Sequence, residues 1–236
     1  MKIKIVLFFL LIPMLSACAS VSEEDQKQAN FHYQIGMSYF HDNNIQPAFV
    51  ELQKALELNP YDKQIHNALG IIYLSKLEDY PKAVEHFQKA IKYDENYSEA
   101  YTNLGNAYAR MGEFNKAIES YRTAISNPFY RNPALALYNL GMVYYRLARY
   151  DLAIDAFKDA IRRYSTFHLP YYGMALTYNA QGLYGDAATA MTYAIEFDPL
   201  YKGDREKASE DFRNKKIQAK GQEEKDIASY LDILKY

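Results

Sequence analysis

Apolar and small residues recur along most of this chain at helical spacing, and the whole pattern returns about every 34 residues. Five segments open in the same way: YQIGMSYF, NALGIIYL, TNLGNAYA, YNLGMVYY and YGMALTYN. Residues three and four apart share one face of a helix, so each segment predicts a helix with one buried side. A coiled coil would repeat every 3.5 residues instead, so the longer period favours an array of stacked helical units.

Small residues mark the predicted contact between two helices, A and B, within each unit. The eighth position of helix A is glycine in four units and alanine in the fifth, and two alanine positions recur in helix B. These columns are Gly36, Gly70, Gly105, Gly141 and Ala175; Ala48, Ala83, Ala117, Ala153 and Ala187; and Ala55, Ala90, Ala124, Ala160 and Ala194. A larger side chain at these positions would push the two helices apart.

This pattern resembles the tetratricopeptide repeat (TPR), a helix pair of about 34 residues. The resemblance implies an all-α fold, a right-handed superhelix of about five repeats with A helices on the concave face. The expected array spans residues 29–201, divided into 29–62, 63–97, 98–133, 134–167 and 168–201. Two irregularities interrupt it: one extra residue in SKLEDYPK of the second repeat, and a connector lengthened by two residues, SNPFYRNPAL, after the third.

The chain beyond the fifth repeat is highly charged. Residues 202–236 nevertheless carry Ile227, Leu231 and Leu234 at helical spacing. Because the end of a repeat array needs a cap with a polar outer face, we expect a capping helix or a degenerate sixth repeat here. A flexible tail is the alternative.

Residues 1–17 have the features of a lipoprotein signal peptide. Two lysines precede an apolar stretch of about ten residues, which is too short to span a bilayer as a helix. Leu15-Ser16-Ala17-Cys18 then matches the bacterial lipobox and contains the only cysteine. The resemblance implies diacylglycerol on Cys18, cleavage before it and acylation of the new amino terminus; the alternative is an ordinary signal with a chance cysteine.

Acyl chains on Cys18 would anchor the chain at a membrane surface. Each buried CH₂ contributes about 0.8 kcal/mol and a single chain binds only marginally, so several chains are needed for a stable anchor. Ala19 stands where aspartate retains lipoproteins at the inner membrane of enteric-type bacteria. The expected location is therefore the periplasmic face of the outer membrane, with residues 18–28 as a tether.

Charge and motifs exclude several classes of function. The net charge of −2 becomes −4 without the two signal lysines, and no strongly basic stretch indicates a nucleic-acid partner. The sequence lacks HExxH, GxSxG and a glycine-rich phosphate loop. His32 and His66 occupy equivalent positions about 10 Å apart, too far to share a zinc ion. We expect no enzymatic activity, no metal site and no cofactor.

The concave groove is the predicted binding site. In TPR arrays, positions 2, 5, 9 and 12 of each A helix face the groove, and here they include no lysine or arginine. TPRs that clamp a peptide carboxylate use lysines there, so an adaptable apolar surface is expected to bind an extended or helical peptide. The candidate contacts are Asn30, Tyr33, Met37, Phe40, Asn67, Ile71, Leu74, Asn106, Tyr138, Met142, Tyr145 and Tyr172. Alternatively, the cap or the tether fills part of this groove, above all at the fifth repeat.

Among membrane-anchored TPR proteins the chain resembles the type IV pilus pilotins (the PilF/PilW/Tgl family). The resemblance rests on the lipobox, the opening YQIGMSYF...AFVELQKALELNP, the extra residue in the second repeat and the connector NPFYRNPALALYNLG. It implies a scaffold that binds secretin subunits, or another pilus assembly component, and assists their assembly and localisation. The alternatives are an adaptor for cell-wall hydrolases and, from another class, an enzyme, against which the missing catalytic motifs argue.

Overall fold

The computed structural model describes residues 21–236, and this part of the chain folds into twelve α-helices. They are α1 (Glu23–His41), α2 (Ile45–Leu58), α3 (Lys63–Ser75), α4 (Tyr80–Tyr93), α5 (Ser98–Arg110), α6 (Phe114–Ser126), α7 (Pro133–Arg146), α8 (Tyr150–Arg163), α9 (His168–Ala180), α10 (Tyr184–Phe197), α11 (Arg205–Gln218) and α12 (Gly221–Ile233). Helices α1 to α10 pack as five successive pairs, each against the next. The predicted all-α array of TPR helix pairs is confirmed.

The first helix begins earlier than the sequence pattern indicates. Helix α1 starts at Glu23, so residues 23–28 are helical and the prediction of a tether is wrong there. The reason is local. The Ser22 hydroxyl accepts a hydrogen bond from the backbone N–H of Asp25 (3.0 Å). Three acidic residues in the first turn also stabilise the helix through their interaction with the positive end of its dipole. The predicted signal peptide and Cys18 lie outside the described residues. None of the helices in residues 21–236 combines the length and apolarity needed to cross a membrane.

The small-residue columns lie at the contact between paired helices, as predicted. A Cβ atom added to Gly70, Gly105 or Gly141 would lie 2.5 Å from an aromatic ring of the partner helix. The rings are those of Phe87, Tyr121 and Phe157. The alanines of both helix B columns are fully buried. The second, third and fourth repeats are therefore each closed by a large ring on helix B that fits against a glycine of helix A, whereas Gly36 in the first repeat lies against Leu52.

The C-terminal region forms a sixth helix pair, but this pair does not continue the regular stacking. The A helix of each earlier repeat packs closely against the preceding B helix, whereas α11 makes few contacts with α10. Helix α12 instead packs against both α9 and α10. Most of residues 202–236 is thus helical, in α11 and α12, and α12 is the helix that closes the end of the array.

Candidate functional site

The A helices of the first two repeats present an apolar surface that is only partly covered. We call this surface the N-terminal groove; it is formed by Tyr33, Met37, Phe40, Ile71 and Leu74. Each of the five side chains packs on one side against the buried core and is partly exposed on the other. Burial raises the pKa of the Tyr33 phenol, with a smaller contribution from the Asp62 carboxylate, so this group stays neutral at ordinary pH. Asn30, the remaining candidate from the first repeat, is exposed.

Two predicted contacts, Asn67 and Asn106, form links between successive A helices. The Asn103 side-chain amide donates to Asn67 Oδ1 (2.9 Å), and that of Asn139 donates to Asn106 Oδ1 (2.9 Å). The hydroxyl of Tyr121 also donates to Asn106 Oδ1 (2.7 Å). Asn67 is 8% exposed. The side-chain oxygens of both residues therefore take part in contacts within the array.

The lengthened connector covers the middle of the predicted groove, which the sequence did not indicate. Tyr130 of this connector is buried, and its hydroxyl lies 3.0 Å from the Thr102 hydroxyl. Its neighbour Phe129 is 87% exposed. In the next repeat, Phe167 makes an edge-on ring contact with Tyr138 (6.0 Å between centroids). The sequence does contain a signal for these contacts. The segments YDENY, NPFY and STF lie near the ends of the second, third and fourth repeats, and each finishes with an aromatic residue.

The far end of the predicted groove is occupied by helix α12. The ring of Tyr230 lies 5.3 Å from that of Tyr172, which is only 6% exposed. Burial raises the pKa of the Tyr230 phenol well above its usual range, and Tyr138, Asp226, Tyr172 and Tyr145 raise it further. The predicted contact Tyr172 therefore packs against a side chain of the same chain, and Tyr138 and Tyr145 lie near enough to affect its pKa, as the alternative of a groove-filling cap proposed. Met142 is partly buried against the core between α7 and α8.

An ion pair joins α12 to the fourth repeat. Both terminal nitrogens of Arg146 donate to the Asp226 carboxylate, one of them at 2.8 Å. The side chains are 25% and 10% exposed, and the guanidinium also lies 5.2 Å from the Tyr145 ring centroid. Gln222 donates to the same carboxylate (3.0 Å). Arg146 is not among the predicted contacts, because it follows the last groove position of its helix and its partner is 80 residues away.

We call the surface formed by Tyr138, Tyr145, Arg146 and Tyr172 the C-terminal groove. Across residues 21–236, no three His, Cys, Asp or Glu side chains converge in a way that could hold a metal ion. The chemistry that both grooves offer is non-covalent: aromatic and aliphatic contacts in each, and one cation in the C-terminal groove. The site candidates are thus divided between a partly exposed surface and a covered one.

Sequence profiles of one repeat family match this chain. A profile described as TPR repeat matches residues 74–112, and two described as tetratricopeptide repeat match residues 29–62 and 102–166. Together they cover more than half of the chain. A comparison with curated protein sequences found no match.

Solved structures of TPR proteins share the fold. PilF of Pseudomonas aeruginosa has a TM-score of 0.69 at 20% identity, over 88% of this chain and 90% of its own. PilW, described as a widely conserved type IV pilus biogenesis factor, has a TM-score of 0.71 at 19% identity, over 86% and 90%. MamA has a TM-score of 0.60 at 26% identity, over 73% and 92%. The likeness to PilF and PilW is one of fold.

Proposed function

The chain belongs to the tetratricopeptide-repeat family, and we propose that it is a lipid-anchored scaffold that binds a protein partner at the outer membrane. The partner we propose is a secretin subunit of a type IV pilus system, whose assembly and localisation the scaffold assists. Cys18 carries the anchor in this proposal, and the array faces the periplasm.

The N-terminal groove is the observation that carries the proposal. Its five partly exposed side chains come from two successive repeats and include no charged group. Full burial of a large apolar side chain contributes about 1.5–3 kcal/mol. Part of this gain is offset by the freedom lost on association, so several such contacts support micromolar binding or better. A subunit that awaits assembly into a ring exposes apolar surface, which is the kind of surface this groove can cover.

Two further observations support the choice of partner and place. PilF and PilW share the fold over most of this chain, and PilW is described as a pilus biogenesis factor. The lipobox around Cys18 would hold the array at the membrane where the ring assembles. Confinement to one surface raises the effective concentration of the groove around its partner without any additional contact.

Removing two rings of the N-terminal groove should abolish most partner capture. In the variant Tyr33→Ala/Phe40→Ala, we expect recovery of the secretin in a detergent-extract pull-down to fall at least about tenfold, because two aromatic contacts are lost. The matched control is Tyr61→Ala/Phe129→Ala, which removes one tyrosine and one phenylalanine, both exposed, elsewhere on the chain. Equal capture by both variants would exclude the groove as the site, and capture of a cell-wall hydrolase instead would exclude the pilus role.

Replacing Cys18 should release the array from the membrane without unfolding it. A Cys18→Ala chain cannot form the thioether to diacylglycerol, so we expect it in the soluble fraction after cell lysis, with unchanged helicity by circular dichroism. A Ser20→Ala chain is the control and should remain in the membrane fraction. If the Cys18→Ala chain still sediments with membranes after its signal segment has been removed, the lipid anchor at this residue is disproved.

A further inference from the structure

The C-terminal groove has the properties of a second binding site that is filled by its own chain. We propose that it binds an amphipathic helix of a partner protein, one with an aspartate one turn before a tyrosine, and that α12 occupies it as a displaceable latch. This inference is independent of which protein binds the N-terminal groove.

Helix α12 has the composition of a helical ligand. Asp226, Ile227 and Ile233 are buried, and with the partly buried Tyr230 they lie on one face. The opposite face is charged and exposed, with Glu224, Lys225 and Asp232. An apolar face with anchors at such spacing is the usual way in which a helix binds a groove. The features that a partner must share are therefore the carboxylate, the ring four residues later and an aliphatic residue in the next turn.

The groove that holds this helix belongs to the repeats and not to α12. Tyr138, Tyr145 and Arg146 are on α7, whose other face packs against α8 in the core. Tyr172 is on α9, packed against α10. Arg146 can donate two parallel hydrogen bonds to a carboxylate, which fixes the orientation of the bound carboxylate and also contributes affinity. Removal of α12 would leave this cation and the three rings in place, ready for an equivalent helix.

The position of α12 differs from that of a regular repeat. In a solenoid each repeat contacts only its neighbours, yet Asp226 reaches Arg146, which lies in the fourth repeat beyond the fifth. Helix α12 thus lies across the groove of two repeats. No later helix in residues 21–236 packs on α12, so its release would break its contacts with α9, α10 and α11 and its ion pair with Arg146.

The connection to the array also permits release. Helix α11, which leads to α12, is strongly polar and buries only Ala208 and Phe212. A short link follows, and Gly221, the first residue of α12, has a positive φ of 62°, a conformation that glycine adopts without steric cost. Helix α11 contacts α10 only lightly, so α12 is attached to the array mainly through its own contacts and through its packing against α11. The ring of Phe212 on α11 lies 5.3 Å from that of Tyr230 on α12, so α11 contributes to the packing of α12.

The test uses the full chain and a fluorescein-labelled peptide of residues 219–236. The variant Asp226→Arg places two cations together at Arg146 and should expel α12 while leaving the groove intact. We expect this variant to bind the peptide at least about tenfold more tightly than the wild-type chain, by fluorescence anisotropy. The matched control Asp232→Arg makes the same charge change on the exposed face and should behave as the wild type. A peptide with Tyr230→Ala should bind neither.

Peptide binding that is equal in the Asp226→Arg and Asp232→Arg chains, or absent in both, would overturn the proposal. If Asp226→Arg fails to fold, amide hydrogen exchange on the wild-type chain decides. A latch opens without global unfolding, so the amides of α12 should exchange at least about tenfold faster than those of α7 and α9. Equal protection of the three helices would show that α12 is an integral part of the core.

Discussion

Replacing Phe157 with alanine should lower the free energy of unfolding by about 3–5 kcal/mol, which is the usual cost of removing a fully buried ring. Phe157 of α8 is completely buried, and its ring fits between the glycines of two successive repeats. A Cβ atom on Gly141 would come 2.5 Å from this ring, and one on Gly173 would come 2.4 Å from it. The ring therefore closes the fourth repeat and joins it to the fifth.

Because one side chain serves both contacts, its loss should weaken the interface between these repeats more than the rest of the array. We expect amide exchange to rise in α9 and α10 and to change little in α3 and α4, since repeats are stabilised by their nearest neighbours. Urea unfolding followed by circular dichroism gives the total loss. The control is Phe129→Ala, an exposed ring, which should change stability by less than about 0.5 kcal/mol. A loss at Phe157 equally small would show that the ring is not essential to the packing.

The repeat architecture could be predicted from the sequence because it rests on local and periodic packing. Gly70, Gly105 and Gly141 recur with the period, and each lies against a large aromatic ring on the partner helix. A steric requirement repeated in three successive units can be recognised in one sequence. The early start of α1 is also indicated by local sequence, namely the capping residue Ser22 and the acidic turn after it.

The covered part of the candidate site could not be predicted in the same way. The contact between Arg146 and Asp226 joins residues 80 positions apart and occurs once, so no period indicates it. The same holds for Tyr130, whose buried position depends on a connector found only between the third and fourth repeats. Position within the repeat predicts which side chains face the groove, but not which of them another segment of the chain covers.

A buried histidine pair shows how contacts that occur once also determine stability. His66 Nδ1 and His86 Nδ1 are 3.1 Å apart, and His66 Nε2 donates to the Pro60 carbonyl oxygen (3.0 Å). His66 Nδ1 is then the acceptor and His86 Nδ1–H the donor, with both rings neutral. The His86 ring stacks on Tyr73 at 5.3 Å. Burial, and then the Coulombic effect of His66 and Lys89, lower the pKa of His86 to about 4; burial also lowers the pKa of His66.

The folded chain should therefore lose stability as the pH falls from about 6.5 to about 4. Above pH 6.5 both histidines are neutral in the folded and the unfolded chain, so they add no pH dependence. Between the two values the unfolded chain binds a proton that folded His86 does not, and the free energy of unfolding falls by roughly 1.4 kcal/mol per pH unit. For His86 the total is about 3 kcal/mol, and His66 acts in the same direction. Below about pH 4 this contribution becomes constant.

The variant His86→Phe isolates this effect, because it keeps a ring against Tyr73 and removes the group that titrates. Urea unfolding between pH 7 and pH 4 should give a shallower decline for this variant than for the wild type. Carboxylates such as Asp94, whose pKa is lowered by its hydrogen bond from Lys63, lose their contribution at lower pH in both chains and cancel in the comparison. His41→Phe, at an exposed position on α1, is the control and should retain the wild-type slope. Parallel curves for wild type and His86→Phe would contradict the assignment, because a neutral buried pair must resist protonation for as long as the array stays folded.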